Sequence, residues 1–497
     1  MAVTTTPLLG LGTLSRLPQH SRPLLRPGGV PAGIVHLGLG AFFRAHQAVY
    51  TEEAVATAGG DWGIVGVAPR SAGIVAGLLA QDRLFSVTSL SGAGPRTRVI
   101  GALSGVRHAA ADPGGIIALL ADPAIRVVTL TVTEKAHRLD PVTGELAVDH
   151  TLLADLATAG PPATIPGLVV RGLLARYRAD AGPIAVVSCD NFSSNGRRLH
   201  GMVEQARVLV PGGTGAFGDW LRDSVTFPGT MVDRIVPAST PATLAVAEAA
   251  LGARDLAAVH GEPYRQWVIE DRFPGGRPAW DLAGAVLTTD AGPWERLKLR
   301  TLNGVHSAIA YLGAVAGRET IATALEIPGM RAAVRRFVAE DVAVSLKPPP
   351  GVSVVEYGAS VLDRFANPAI AHATRQVAMD GSQKLPQRVL NTILDCRAAG
   401  ATPRWAALVV AGWMRFVQGR TDDGRALELD DPLAAEIRER LAAAPSSAPR
   451  AVADALFGLD AVFPAELTGD DTVRELVIEW LTALDRHGVE ATLAGAT

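Results

Sequence analysis

Short apolar runs alternate with amphipathic stretches over the first 190 residues, and few folds accommodate that alternation. GIVHLGLG (33–40), WGIVGVAP (62–69), LFSVTSLSG (84–92), TRVIGALSGV (97–106), IRVVTLTVTEK (125–135) and GPIAVVSCDN (182–191) read as strands. AFFRAHQAVYTEEAVATAG (41–59), PGGIIALLAD (113–122) and PGLVVRGLLARYRAD (166–180) read as helices between them, the first stopped at Gly59. Strands without polar alternation are buried on both faces. Interleaved with helices, they predict a mostly parallel sheet covered on both sides, an α/β domain over 1–290 with an N-terminal arm at 1–30.

The pattern changes near residues 285–295. RAAVRRFVAEDVAVSL, VVEYGASVLDRF, PRWAALVVAGWMRFVQG, DPLAAEIRERLAAA and TVRELVIEWLTALDRHG all carry helical periodicity. A mainly α-helical second domain over 291–497 follows, with KPPPG at 347–351 as a loop within it.

Charge and composition narrow the partners. The 497 residues include 46 basic and 49 acidic side chains, a net charge of -3, which favours neither nucleic acid nor an acidic membrane surface. Mean hydropathy is +0.23, yet the longest uncharged apolar run, WAALVVAGWM (405–414), falls far short of the roughly 20 residues that span a bilayer. Two distant cysteines, Cys189 and Cys396, build neither a disulfide framework nor a cysteine-based zinc site, and point to a reducing cytoplasm. No acidic residue precedes Glu52, and Arg16, Arg22 and Arg26 lie among Ser and Leu as in a transit peptide. Pro7, Pro18, Pro23 and Pro27 interrupt any long amphipathic helix there, so the segment is read as a simple arm.

Two stretches carry chemistry. In HLGLGAFFRAH, Gly38 and Gly40 directly follow a strand and precede a helix, the context in which a dinucleotide pyrophosphate sits. Phe43 occupies the place of the third glycine of the usual fingerprint. Gly38, Gly40, Phe42 and Arg44 are the candidate cofactor contacts, with Arg70 at the end of the second strand. An acidic residue normally stands there to hold the ribose; an arginine accepts a 2′-phosphate, so the cofactor is NAD or NADP. In KLRTLNGVH (298–306), Lys298, Asn303 and His306 share nine residues otherwise built like a buried helix. On an α-helix Asn303 and His306 lie one turn apart, and Lys298 falls on a different face.

LGLGAFFRAHQAVYT, LTVTEK, VVSCDNFSSNG, FPGTMVDRIVP, EPYRQWVIEDRF, KLRTLNGVHSAIAYLG and MDGSQKLPQR, in this order, resemble the polyol-specific long-chain dehydrogenases of the mannitol dehydrogenase family. The likeness runs from about residue 30 to about residue 490. That family includes mannitol 2-dehydrogenase, fructuronate reductase and tagaturonate reductase. The resemblance implies a Rossmann-type domain, a helical C-terminal domain and metal-independent chemistry. It assigns Lys298 as general base, Asn191 and Asn303 as amide donors to the reacting oxygen, His306 as a hydroxyl ligand and Asp233 as a polar substrate contact. A lysine serves as base only where partial burial lowers its pKa, and two amide donors stabilise a developing alkoxide without metal.

The segment RFANPAIAHATRQVAMDGSQKLPQR (364–388) resembles fructuronate reductases more than mannitol dehydrogenases, with Gln376 where the latter carry an arginine. His372, Lys384 and Arg388 become candidate partners of a sugar-acid carboxylate. The expected substrate is D-mannonate or D-fructuronate, with D-mannitol and D-fructose as the neutral alternative and a non-catalytic nucleotide-binding protein as a distant one. The remaining expectation is a monomer or small homo-oligomer with a small-molecule substrate.

Overall fold

The structure is a computed structural model that describes residues 6–140, 143–158, 160–370 and 372–496. It divides into two compact units, Met1–Gly292 and Pro293–Thr497.

The N-terminal unit is built on a six-stranded, all-parallel sheet. In chain order the strands are β1 (Ala32–Leu37), β2 (Gly63–Ala68), β3 (Phe85–Ser89), β4 (Arg96–Ile100), β5 (Leu103–His108), β6 (Val127–Leu130), β7 (Ile184–Ser188), β8 (Val225–Thr226), β9 (Thr230–Asp233), β10 (Val259–Gly261), β11 (Gln266–Glu270) and β12 (Val286–Thr288). The main sheet runs β5-β2-β1-β6-β7-β8, the doubly wound order in which the chain reverses direction at β1. The strands pair in parallel, Val35 opposite Val65 on one side and Val128 on the other, with register shifts between Ala32 and Ile34 of β1 and between Ile64 and Val65 of β2. Side chains of β1 alternate between two cores: Ile34 enters one, Val35 and Leu37 the other. Burial on both faces explains why these strands show no polar alternation.

Helix starts follow their local chemistry. The Asp112 side chain accepts from Gly115 N at 2.8 Å and caps the Pro113–Leu120 helix. Thr164 Oγ1 accepts from Gly167 N at 3.1 Å and caps the Ile165–Arg178 helix.

The structure redraws three sequence expectations. TRVIGALSGV is not one strand: it splits at Gly101 into β4 and β5, which belong to different sheets. A Cβ at Gly101 would lie 2.2 Å from Leu25 O, so the backbone of the arm passes directly over the break. LFSVTSLSG likewise leaves the main sheet, and its β3 lies between β10 and β4 in a three-stranded sheet. The 41–59 helix breaks at His46 into Ala41–Ala45 and Gln47–Ala58. The arm packs down through Leu9 and Leu17, which are buried with Leu84, Val99 and Leu251.

The C-terminal unit is helical. The Gly304–Val315 helix is buried on nearly all sides, with His306 its one half-exposed residue, and packs against Arg404–Phe416. Both are apolar around most of their circumference, as central helices are. Three π-helical segments, Lys298–Asn303, Phe337–Val342 and Pro386–Leu390, interrupt the α-helices, and the first packs against both others.

Arg176 ties the doubly wound layers together. Its buried guanidinium donates to Gly182 O (2.8 Å), Leu120 O (3.1 Å), Asp122 O (3.0 Å), Ala181 O (2.7 Å) and Pro183 O (3.3 Å). Burial lowers its pKa to about 10, which leaves it charged at neutral pH. Arg176→Met should cost about 3 kcal/mol, since charge-assisted bonds to buried carbonyls disappear together. A lowered urea midpoint of the N-terminal unit, with native circular dichroism retained, is the expected result.

Candidate active site

The reversal of strand order at β1 opens a crevice beyond the carboxyl ends of β1, β2 and β6, where ligands bind in doubly wound sheets. A cavity of about 1030 Å³ lies there, lined by Gly38, Gly40, Arg70, Thr131, Lys135 and Arg138 among others. The turn into it depends on Gly38, whose φ is +111° and where a Cβ would lie 2.0 Å from Thr131 O. A Cβ at Gly40 would meet nothing nearer than 4.0 Å, so that position leaves room for a ligand against the backbone.

His36 holds the turn from below. Its Nδ1 lies 2.8 Å from Thr129 Oγ1, and its Nε2 lies 2.9 Å from Gly38 O and 2.8 Å from Thr131 Oγ1. A neutral ring with the proton on Nε2 donates to Gly38 O and accepts from Thr129 at Nδ1. Burial drives the His36 pKa down to about 3, which keeps that tautomer neutral. The Phe43 ring stacks on the imidazole at 3.6 Å between centroids. That contact explains why a large aromatic stands where the fingerprint has its third glycine.

The other candidate cofactor residues divide by environment. Phe42 is half-buried against the core and stacks on His46 at 4.9 Å. Arg44 lines the cavity, but its Nε donates to Gly40 O and its Nη1 to Ala257 O, so it braces the turn. Arg70 is exposed at the cavity edge. Lys135 and Arg138 also stand at the rim, on the segment after β6; Lys135 closes the LTVTEK motif, whereas nothing in the local sequence singled out Arg138. Open backbone at Gly40 with a cationic rim fits a dinucleotide diphosphate.

Asn191 follows β7 in the same sheet, on a loop held by Asp190, whose Oδ2 lies 2.7 Å from His137 Nε2 and accepts from Ser188 Oγ at 3.1 Å. Asn195 fastens the loop from its other side, donating to Asp190 O at 3.1 Å and Thr230 O at 3.0 Å. Asp233 is buried at the end of β9, opposite Gln266 of β11.

In the C-terminal unit the π-helix changes the geometry expected from sequence. Gly304 N donates to Leu299 O, five residues back. On an α-helix Lys298 and Asn303 stand about 140° apart. The wider turn brings residues five apart toward one face, and both are buried. Gly304 permits the convergence: a Cβ there would lie 3.0 Å from Arg388 O and 3.2 Å from the Phe337 ring. Arg300 anchors the segment, donating to Ser345 O at 2.6 Å and pairing with Asp395 at 2.5 Å.

One turn on, His306 stacks on Phe365 at 4.4 Å and meets His372 edge-on at 4.7 Å. The buried His306 Nε2 and His372 Nδ1 have no hydrogen-bond partner. Arg388 donates to Ser307 Oγ at 3.1 Å. Lys384 Nζ donates to Met379 O at 2.5 Å and lies 3.9 Å from Asp380. Burial, then His372, Arg388, Lys384 and Arg364, hold His306 well below the ordinary imidazole range. Burial and Lys384 lower His372 as well. Two neutral imidazoles thus sit among three cations, a field that favours an anion. Gln376 stays apart, exposed on the Thr374–Ala378 helix. Arg364, Phe365 and Ser307 were not anticipated as site residues, because they arrive through packing rather than spacing. Among the described residues, no group of three or more His, Cys, Asp or Glu could hold a metal ion.

Residues 32–282 match the mannitol dehydrogenase Rossmann domain, and residues 290–484 match the mannitol dehydrogenase C-terminal domain. The chain belongs to the mannitol dehydrogenase family. Within that family it is 39% identical to the D-mannonate oxidoreductase of Escherichia coli (strain K12), over 90% of this chain and 92% of that one. It is 37% identical to the mannitol 2-dehydrogenase of Cereibacter sphaeroides, over 85% and 87% of the two chains. The Pseudomonas fluorescens mannitol 2-dehydrogenase, solved as a ternary complex with NAD and D-mannitol, superposes with a TM-score of 0.83 at 32% identity, over 98% of this chain and 99% of that one. The chain is accordingly an oxidoreductase of this family, with its Rossmann domain and helical C-terminal domain as expected.

His36 yields a test. Its folded pKa of about 3 lies below an unfolded value of about 6.5. Between those values the unfolded chain binds a proton that the folded chain refuses, so stability falls as pH drops through the window. His36→Asn should be less stable than the parent at pH 7, and the gap in melting temperature should narrow by pH 4.5.

Proposed function

We propose that this chain interconverts a secondary alcohol and a ketone on a linear sugar acid, D-mannonate and D-fructuronate being the pair that fits best. The observation that carries the substrate class is the field around His306, where Lys384, Arg388 and Arg364 surround two neutral imidazoles. A carboxylate accepts from Lys384 and Arg388 there, while His306 Nε2 and His372 Nδ1 stand ready for hydroxyls.

Bound NAD(P)H supplies the hydride that adds to the carbonyl carbon. In that direction Lys298 delivers the proton to the carbonyl oxygen and recovers one from solvent; in the oxidative direction it takes the proton back. Asn303, on the same π-turn, donates from its amide to the oxygen as negative charge develops. The roles of second amide donor for Asn191 and polar substrate contact for Asp233 are carried by the family resemblance. Gly38 permits the turn and Gly40 leaves the backbone open to the diphosphate. Arg70, where an acidic residue usually binds the ribose, supports acceptance of the 2′-phosphate of NADP. The two free cysteines, buried in separate units, suit a reducing cytoplasm.

A neutral-polyol reading draws on the likeness to the Pseudomonas fluorescens enzyme solved with D-mannitol. Oxidation of NADH and of NADPH, each with D-fructuronate and with D-fructose near neutral pH, separates the two. Strong turnover of fructuronate alone supports the acid; a preference for fructose overturns it. Lys298→Ala should lower kcat about 10²- to 10⁴-fold with cofactor affinity retained. Arg388→Ala should raise KM for the acid at least tenfold, since a charge-assisted pair contributes about 1.5–3 kcal/mol, and should affect fructose far less.

A further inference from the structure

A second cavity in the N-terminal unit, about 650 Å³, shares no lining residue with the dinucleotide crevice. Arg96, Arg98, Arg234 and Arg265 line it, with Glu53 as its one carboxylate and Ser89 as a hydroxyl. Arg96 and Arg98 come from β4, Arg234 and Arg265 from the chain beside β9 and β11, and Glu53 from the Gln47–Ala58 helix. MVDR and EPYRQW, conspicuous in the sequence, thus contribute their arginines to one place.

The charge here is not balanced within the cavity wall. Glu53 is shared, accepting from Arg98 at 2.7 Å and also from Arg265. Buried Glu52, 3.8 Å from Arg98, is pushed up to about 7 by burial and so supplies only part of a negative charge near neutral pH. The buried Arg234 guanidinium donates to Glu262 O at 3.0 Å, Ser89 Oγ at 3.2 Å and Ala45 O, and the buried Glu262 carboxylate lies near enough to favour its charge. Burial, then the neighbouring Arg265, lowers the Arg234 pKa to about 10. Arg265 also spreads its cation over the Tyr50 ring, 4.4 Å from the centroid. Arg96, exposed at the mouth, has no ion pair among the described residues. Four guanidinium groups therefore line a walled space with one lining carboxylate, Glu53, and with Glu262 behind Arg234, which leaves an excess of positive charge at the cavity surface, and fixed arginines are how proteins recognise multiply charged oxyanions.

We infer that this cavity is a binding site for a small dianion of the phosphate type, separate from both the cofactor crevice and the His306 cluster. Arg96 and Arg98 close over the ligand, Arg234 forms the floor, and Ser89 offers a neutral contact. The inference does not depend on which sugar or sugar acid is the substrate.

The test uses the full-length protein saturated with NADPH, so that phosphate cannot act through the diphosphate site or through a 2′-phosphate contact at Arg70. Inorganic phosphate is titrated at constant ionic strength, with chloride as the balancing anion, and followed by calorimetry and by melting temperature. A saturable heat, with a melting-temperature rise of several degrees, is expected. Arg96→Gln should weaken binding at least tenfold, and Glu53→Gln, which removes the competing carboxylate, should tighten it. Arg96→Gln should melt near the parent in the absence of phosphate, because Arg96 is exposed, whereas Glu53→Gln should melt lower without phosphate, since its amide nitrogen cannot accept from an arginine as the carboxylate oxygen does, and should regain part of that loss when phosphate binds. No saturable heat, or a response equal in all three proteins, would overturn the site.

Discussion

Everything in the N-terminal unit depends on β1 lying at the centre of the parallel sheet. With β2 and β6 on its two edges, the connections leaving β1 and β6 diverge to opposite faces, and a crevice opens where they part. The backbone must turn sharply out of the sheet there, which places the left-handed conformation on Gly38 and contact with Thr131 O immediately behind it. Gly38 O accepts from Gly40 N and Thr131 Oγ1, and the neutral imidazole of His36 adds a third contact from within the sheet. Phe43 then covers that imidazole, so one buried ring settles both the strand end and the start of the next helix.

The C-terminal unit solves a different problem. Lys298, Asn303 and His306 must be polar inside a segment whose neighbours are a helical core. An α-helix would spread Lys298 and Asn303 around its axis. A π-turn brings them toward one face at the cost of poorer backbone geometry, and packing against the other two π-segments compensates for that cost. Gly304 is where these segments meet, because no side chain fits between Arg388 O and the Phe337 ring.

The charge distribution follows from the same economy. Lysines and arginines stand at the rim of the dinucleotide crevice and around His306. Away from the cavities, the buried Arg176 is committed to carbonyls. Around Glu53 four arginines line one cavity with a single lining carboxylate, and Arg96 among them has no ion pair among the described residues, which is why that cavity reads as a site.

Much was legible in one dimension. Uninterrupted apolar runs separated by helices dictate a parallel sheet, since only burial on both faces tolerates them. Gly38 and Gly40 at a strand end mark the ligand crevice, and KLRTLNGVH announces itself because three polar groups in a core helix need a reason. Spacing could not reveal that TRVIGALSGV divides between two sheets, because the break is imposed by the arm crossing at Gly101. Nor could a 100° periodicity show the face shared by Lys298 and Asn303, since the π-turn is stabilised by residues 35 and more positions away in the chain. The chemistry of each residue and the order of elements are local properties, and the sequence determines them. Which cations meet around His306, and that Arg364 and Phe365 join them while Gln376 does not, depend on long-range packing, and only the tertiary structure decides that.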